Sequence, residues 1–212
     1  MAVIVPTITT DDPHVYREQL ERTAKFAPRI HIDLADGKFT PNKLIEINSV
    51  WLPESIAVDI HAMYKKPQDI VEKLSALKPS LIVFHAEAET DFLTMAEHIH
   101  RQGILFGVAI LQDTPVSSIH KYLHELDHVL IFSGTLGSFG GQVDLDLLDK
   151  VKELKAVKLE LEIGWDGGIN ALNAKDLVEG GVDVLNVGGF IQKSADPEAA
   201  YAKLQVVLNQ SK

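Results

Sequence analysis

Short runs rich in valine, isoleucine and leucine alternate along this chain with longer amphipathic stretches, a rhythm that predicts repeated βα units. The apolar runs predict strands at 2–8, 29–36, 55–63, 80–87, 104–111, 128–135, 158–166 and 182–188. Between them the helical period predicts helices at 13–27, 67–78, 90–102, 115–126, 144–156 and 171–180, a short one at 42–50 and a tail helix at 197–210. Asp12-Pro13, Lys66-Pro67, Thr114-Pro115 and Asp196-Pro197 each set a capping or polar residue before a proline, which suits a first helical turn. Within 13–27, Val15, Leu20, Ala24 and Phe26 make an apolar stripe while Arg17, Glu18, Glu21 and Arg22 face solvent, so this helix covers something buried. The segments Leu81-Ile-Val-Phe84 and Ile104 to Leu111 are apolar on both faces, as a parallel sheet covered on both sides requires. Eight such units in 212 residues predict an α/β protein, a (β/α)8 TIM barrel spanning 1–212 as a single domain. The competing arrangement, an open doubly wound sheet, rarely sustains eight strands in such regular alternation.

Composition narrows the classes. Hydrophobic residues at 46% and charged ones at 24% supply a full core and argue against disorder. The longest apolar runs are strand length, far short of the roughly 20 residues of a spanning helix. No basic leader precedes Ala2-Val-Ile-Val5, so neither membrane nor secretion is expected and the location read from the sequence is cytoplasmic. The absence of cysteine excludes disulfides, thiolate ligands and thiol nucleophiles together. A net charge of −10 without a Lys/Arg cluster argues against nucleic acid and anionic lipid as partners. A phosphorylated ligand would need a local cradle of backbone N–H groups instead.

Residues suited to a divalent metal fall at predicted strand ends: His31 and Asp33 in Arg29-Ile-His-Ile-Asp-Leu34, His61 in Val58-Asp-Ile-His-Ala-Met63, and Asp166 in Gly164-Trp-Asp-Gly-Gly-Ile169. Because strand side chains alternate, His31 and Asp33 share a face and can converge on one ion. Asp33 and Asp166 can also act as a base and an acid on two sides of a carbon next to a carbonyl. Taken singly, each has a plainer reading: Asp33 as a turn cap, Asp166-Gly-Gly168 as a tight turn, the histidines as bonded core residues. Four together on the catalytic rim of one barrel outweigh those readings. His98, His100, His120 and His124 read as surface residues, while His85 ends a strand with Glu87 on the same face and suits a supporting role or an ordinary core position. Gly-Gly pairs in Phe139-Gly-Gly-Gln142, Asp166-Gly-Gly168 and Val187-Gly-Gly189 follow strands six to eight, where barrels often bind phosphate through the backbone.

These motifs resemble the ribulose-phosphate 3-epimerase family, from Pro6-Thr-Ile8 through His31-Ile-Asp-Leu-Ala-Asp-Gly-Lys-Phe-Thr-Pro-Asn42, Asp59-Ile-His-Ala-Met63, Phe139-Gly-Gly-Gln142 and Asp166-Gly-Gly-Ile169 to Gly181-Val-Asp-Val-Leu185. The resemblance implies a barrel that interconverts D-ribulose 5-phosphate and D-xylulose 5-phosphate with one divalent ion, zinc ahead of iron or manganese, and a homo-oligomer. It implies His31, Asp33, His61 and Asp166 as ligands, Asp33 and Asp166 as the acid/base pair, and Thr7, Met63, Gly140, Gly141, Gly168, Gly188 and Gly189 at the sugar phosphate. The chain departs from the pattern in places: Pro-Ser-Ile-Leu is Pro6-Thr-Ile-Thr9, covering methionines become Ala35 and Phe132, Trp165 and Leu111-Gln112 are unusual, and loop 133–142 is altered. Two other readings therefore stay open. One is a related phosphate-binding barrel with another ketose phosphate or with aldolase- or decarboxylase-like chemistry, which needs a reactive lysine such as Lys38 or Lys65; the other is a binding protein that has lost turnover.

Overall fold

Eight parallel strands close on themselves in sequence order in the computed structural model, which describes residues 2–209. They are β1 (Val3–Ile8), β2 (Arg29–Ala35), β3 (Ala57–Met63), β4 (Leu81–His85), β5 (Leu105–Ile110), β6 (His128–Phe132), β7 (Glu162–Asp166) and β8 (Val184–Val187). Closure comes from β8 pairing with β1, Val3 opposite Val184 and Pro6 opposite Val187. The helices are α1 (Pro13–Thr23), α2 (Val71–Ala76), α3 (Phe92–Arg101), α4 (Leu148–Val157), α5 (Ala174–Glu179), α6 (Gly189–Gln192) and α7 (Pro197–Asn209). The (β/α)8 barrel read from the sequence is thus the observed architecture; only residue 210 of the tail helix expectation lies outside the described residues.

Alternation divides the side chains of each strand. Ile4, Ile8, Ile32, Leu34, Ile60, Phe84, Val108, Ile131, Trp165 and Leu185 point outward into one continuous apolar layer beneath the helices. This burial is the principal stabilising term of the fold, at about 25 cal/mol per Å² of apolar surface removed from water. Helix α1 begins where Asp12 accepts hydrogen bonds from the N–H groups of His14 (2.7 Å) and Val15 (3.3 Å), and Asp91 caps α3 through Leu93 N–H (3.2 Å).

Two expected helices do not form. Over 115–126 the chain makes 3₁₀ turns at Val116–Ile119 and Leu123–Glu125. Ser118 donates its hydroxyl to the Pro115 carbonyl (2.8 Å), the local competition through which serine disfavours α-helix. Over 42–50 only Ile47–Ser49 turns, because Lys43 bridges to Asp36, Leu44 N–H donates to Ala35 O (3.2 Å) and Ile45 N–H to Thr10 O (2.9 Å). Those bonds fix an extended chain. The seventh strand is shorter than expected: Lys158-Leu-Glu160 is a turn closed by Leu161 N–H on Lys158 O (3.2 Å), with Leu159 77% exposed.

Inward-facing side chains form layers. At the N-terminal end, Arg29 donates Nε to Asp59 (2.8 Å) and both terminal nitrogens to Glu162 (2.9 and 2.9 Å), while His128 Nδ1 lies 2.8 Å from Glu162. Burial works against the charge on Glu162, but His128 and Arg29 outweigh it and hold this carboxyl well below the usual range. Burial prevails at Asp59, which is raised despite Arg29. Gly164 makes room for the network: a Cβ there would meet His128 Nε2 at 2.5 Å. The inward-facing Leu81, Val83, Ala109 and Leu130 form an apolar cluster on the β4–β6 side of the interior. Replacing Arg29 by methionine strands the Asp59 carboxylate and is expected to cost about 3–5 kcal/mol in urea unfolding, recovered in part by adding Asp59→Asn.

Candidate active site

At the C-terminal ends of the strands four side chains converge. Register places Asp33 beside His61 on adjacent strands β2 and β3, and Thr7 beside His31 on β1 and β2. Asp166 comes from β7, three strands round the barrel from β2. His61 Nδ1 lies 3.0 Å and His31 Nε2 3.3 Å from Asp33 Oδ1, and each stands 4.0 Å from Asp166 Oδ2. One donor atom from each of the four residues lies within 4.8 Å of all the others, and all four residues are buried. Tetrahedral bonds of ~2.1 Å set donors ~3.4 Å apart, so the set closes on an ion with shifts of about an ångström or less.

Electrostatics separates the two carboxylates. Burial alone would raise Asp33, but hydrogen-bond and charge interactions with His31 and His61 outweigh it and hold the group well below the usual range. At Asp166 burial and the neighbouring Asp33 charge outweigh His31 and the Gly167 N–H and push the group up to about 7. Burial would lower His31, yet the Asp33 carboxylate beside it leaves that imidazole raised. At His61 burial wins and, with His85 adding to it, the ring is lowered to about 4 despite Asp33.

A chain of side chains backs His61. Its Nε2 lies 2.9 Å from His85 Nε2, and His85 Nδ1 faces Glu87 at 3.3 Å. Glu87 in turn accepts from Leu111 N–H (3.1 Å) and from the Thr114 hydroxyl. Phe132 packs against His61 (5.8 Å between ring centroids) and His85 (5.6 Å), and Phe39 against His85 (4.8 Å), which keeps water from these rings. Phe132, read in the sequence as a departure, is thus part of the wall that holds the histidines. The remaining histidines are elsewhere: His98 by Glu72 (3.7 Å), His100 by Asp127 (2.8 Å), His120 by Glu153 (3.6 Å) and His124 by Glu125 (3.2 Å).

The cluster opens into a cavity of about 290 Å³. Of the residues expected at the sugar phosphate, Thr7, Met63, Gly140, Gly168, Gly188 and Gly189 line it. Gly141 is exposed and does not line it; its φ of +100° and a clearance of 2.8 Å from Gly134 Cα to any Cβ require glycine there. Phe139 folds over Gly188, and a Cβ on that glycine would meet its ring at 2.6 Å. Sequence reasoning missed Thr9, whose hydroxyl donates to Asp33 Oδ2 (2.6 Å), and Asn186, which also lines the cavity. Only strand parity could have found them: Thr9 is two residues beyond Thr7, and Asn186 is two before Gly188.

Two departures in the sequence meet at Ser133, the first residue of loop 133–142. Trp165 points outward from β7 and donates its indole N–H to Ser133 Oγ (2.9 Å), whose hydroxyl donates to Gly167 O (3.0 Å). The Gln112 amide donates to Ser133 O (3.1 Å). Together they fasten the root of the glycine-rich loop to strands β5 and β7.

Side chains of this kind, gathered where barrels of this fold carry their chemistry, define a barrel enzyme with a candidate divalent-metal centre. The model of the ribulose-phosphate 3 epimerase family matches residues 3–192. The ribulose-phosphate 3-epimerase of Helicobacter pylori (strain ATCC 700392 / 26695) is 33% identical over 98% of this chain and 98% of its own. That of Bacillus subtilis (strain 168) is 29% identical over 97% of this chain and 99% of its own. Among solved structures, 3-hexulose-6-phosphate synthase from Salmonella typhimurium superposes with a TM-score of 0.72 over 99% of each chain at 15% identity, a likeness of fold alone. The chain belongs to the ribulose-phosphate 3-epimerase family and is an isomerase.

Replacing Trp165 by phenylalanine removes one buried hydrogen bond to Ser133. The expected result is a loss of about 1 kcal/mol in urea unfolding together with faster proteolytic cleavage within 133–142, the second readout locating the effect in the loop.

Proposed function

We propose that this chain interconverts D-ribulose 5-phosphate and D-xylulose 5-phosphate by removing a proton from C3 on one face and returning one on the other. The observation that carries this is geometric: Asp33 and Asp166, from strands three places apart, converge on one cavity, with Asp33 lowered by its histidines and Asp166 raised by burial. Pairs of acids whose surroundings push them apart in this way supply a base and an acid at one pH. Asp33 takes the proton, leaving an enediolate; Asp166 delivers a proton to the opposite face, and the roles exchange in the reverse direction.

The donor set fits a divalent cation, with His31 Nε2, His61 Nδ1, Asp33 Oδ1 and Asp166 Oδ2 as the atoms that would hold it. The row His61, His85 and Glu87 supports the same reading, because Glu87 is fixed by Leu111 N–H and the Thr114 hydroxyl and so steadies His85 and, through it, the His61 ring beside Asp33. When bound, such an ion supplies positive charge beside the oxygens on which negative charge develops. Two imidazoles and two carboxylates suit zinc, iron or manganese, and zinc is the ion proposed.

The backbone N–H groups around Gly140, Gly168, Gly188 and Gly189 are proposed to hold the phosphate, since these residues line the same cavity as Asp33 and Asp166. Chemistry through a reactive lysine has no support, because none of the residues lining the cavity is a lysine; Lys65 instead pairs with Glu89 (3.1 Å).

Chelation is expected to abolish turnover of ribulose 5-phosphate and remetallation to restore it; turnover indifferent to chelator rejects the metal-dependent reading. In Asp33→Asn, exchange of the C3 proton with solvent deuterium should fall to background, and exchange at the parent rate would move the base elsewhere. Replacing His85 by phenylalanine should weaken zinc binding about 10–100-fold in a competition titration, without removing any ligand.

A further inference from the structure

Two carboxamides line the cavity without a part in the acid/base chemistry or the metal site; that of Asn170 is bonded to Gly168 O (3.2 Å) and Leu172 N–H (2.8 Å), which leaves Asn186. It is 3% exposed, and its Oδ1 has no hydrogen-bond partner among the described residues. Its neighbours Leu185 and Val187 point outward into the apolar layer, so alternation turns Asn186 inward. Register sets it beside Asp166 on β7 and Val5 on β1. Thr7, two residues further along β1, carries the other orphaned buried oxygen on this side of the cavity, its Oγ1.

A buried polar atom without a partner is destabilising by about 1–3 kcal/mol, and a position serving only packing is better filled by an isosteric apolar residue. Two such atoms on neighbouring strands, both facing one cavity, are therefore explained by a ligand that supplies their partners. A carboxamide offers a donor and an acceptor side by side, which matches a hydroxyl group, itself donor and acceptor. A phosphate or a carboxylate would leave Oδ1 facing like charge.

We propose that Asn186 is a specificity-determining residue that hydrogen-bonds a hydroxyl of the ketose chain next to the carbon faced by Asp166. This rests on the epimerase reading above and adds to it the group by which the substrate chain is selected. Sites built to bond a hydroxyl discriminate strongly against analogues that lack it, because the buried group is then left unpaired.

The test compares the metal-loaded wild type with Asn186→Val and Asn186→Ser, using ribulose 5-phosphate and its singly deoxygenated analogues at C1 and C4. In the wild type, one deoxy analogue should lose at least about tenfold in kcat/KM. In Asn186→Val, KM for ribulose 5-phosphate should rise about tenfold while that analogue loses no further activity, and Asn186→Ser should recover part of the difference. Bound zinc and the affinity for inorganic phosphate should be unchanged in both variants, which separates a lost contact from a damaged fold. Equal losses for every substrate, or an unchanged KM in Asn186→Val, overturn the proposal. Absence of turnover in the metal-loaded wild type would instead overturn the epimerase reading on which it rests.

Discussion

The Asp33 carboxylate is the joint on which the site turns. Its Oδ1 faces the imidazoles of His31 and His61 at 3.3 and 3.0 Å, and its Oδ2 accepts from Thr9 at 2.6 Å. One partner, His31, lies on β2 itself, His61 on the adjacent β3 and Thr9 in the segment leading out of the adjacent β1, so the carboxylate position depends on barrel register. A slip of one residue in β2 against β3 would turn His31 and Asp33 into the apolar layer and bring Ile32 into the cavity. Closure of the sheet removes that freedom, since every strand is paired on both sides.

The placement of partners inside the barrel explains how a carboxylate this buried stays charged. At the N-terminal end Arg29 gathers Asp59 and Glu162, and the apolar Leu81, Val83, Ala109 and Leu130 fill the interior on the β4–β6 side. Asp33 finds its compensation in the two histidines beside it, whereas at Asp166 burial and the Asp33 charge outweigh His31. The resulting inequality arises from burial and placement, without any difference in the chemistry of the two side chains.

Much of this was legible in the sequence, and the reasons are local. Period-two and period-3.6 patterns specify strands and helices wherever packing and propensity agree, as in α1 with its Asp12 cap, although its buried face is Tyr16, Leu20 and Thr23 and Val15 of the expected stripe is exposed. They mislead where polar side chains capture the backbone, as Ser118 does after Pro115, or where distant strands claim a segment, as Ala35 and Thr10 claim Leu44 and Ile45. His31, Asp33, His61 and Asp166 stood out because charged and imidazole groups at strand ends need a reason to be buried. Thr9 and Asn186 gave no such alarm, being common polar residues whose significance depends on which face of a strand they occupy. The contact of His85 with His61 depends on two strands lying side by side at one height, which no spacing along the chain reveals. Trp165 and Gln112 looked anomalous singly and make sense only through Ser133, which both hold.

Charge constrains the ligand proposed above. The protein carries a net −10, and one cavity is lined both by Asp33 and Asp166 and by the glycines Gly140, Gly168, Gly188 and Gly189. An anionic group is repelled by carboxylates and is met favourably by backbone N–H groups, so the phosphate of the proposed substrate belongs with the glycines and its uncharged, oxygen-rich part with the aspartates. Phe139, resting on Gly188, and Phe132, against His61, supply apolar walls on those two sides. On the epimerase reading, a ligand with a phosphate at one terminus and a carbonyl near the other satisfies both demands in one orientation, whereas a molecule carrying phosphate at both termini would set one of them against the carboxylates.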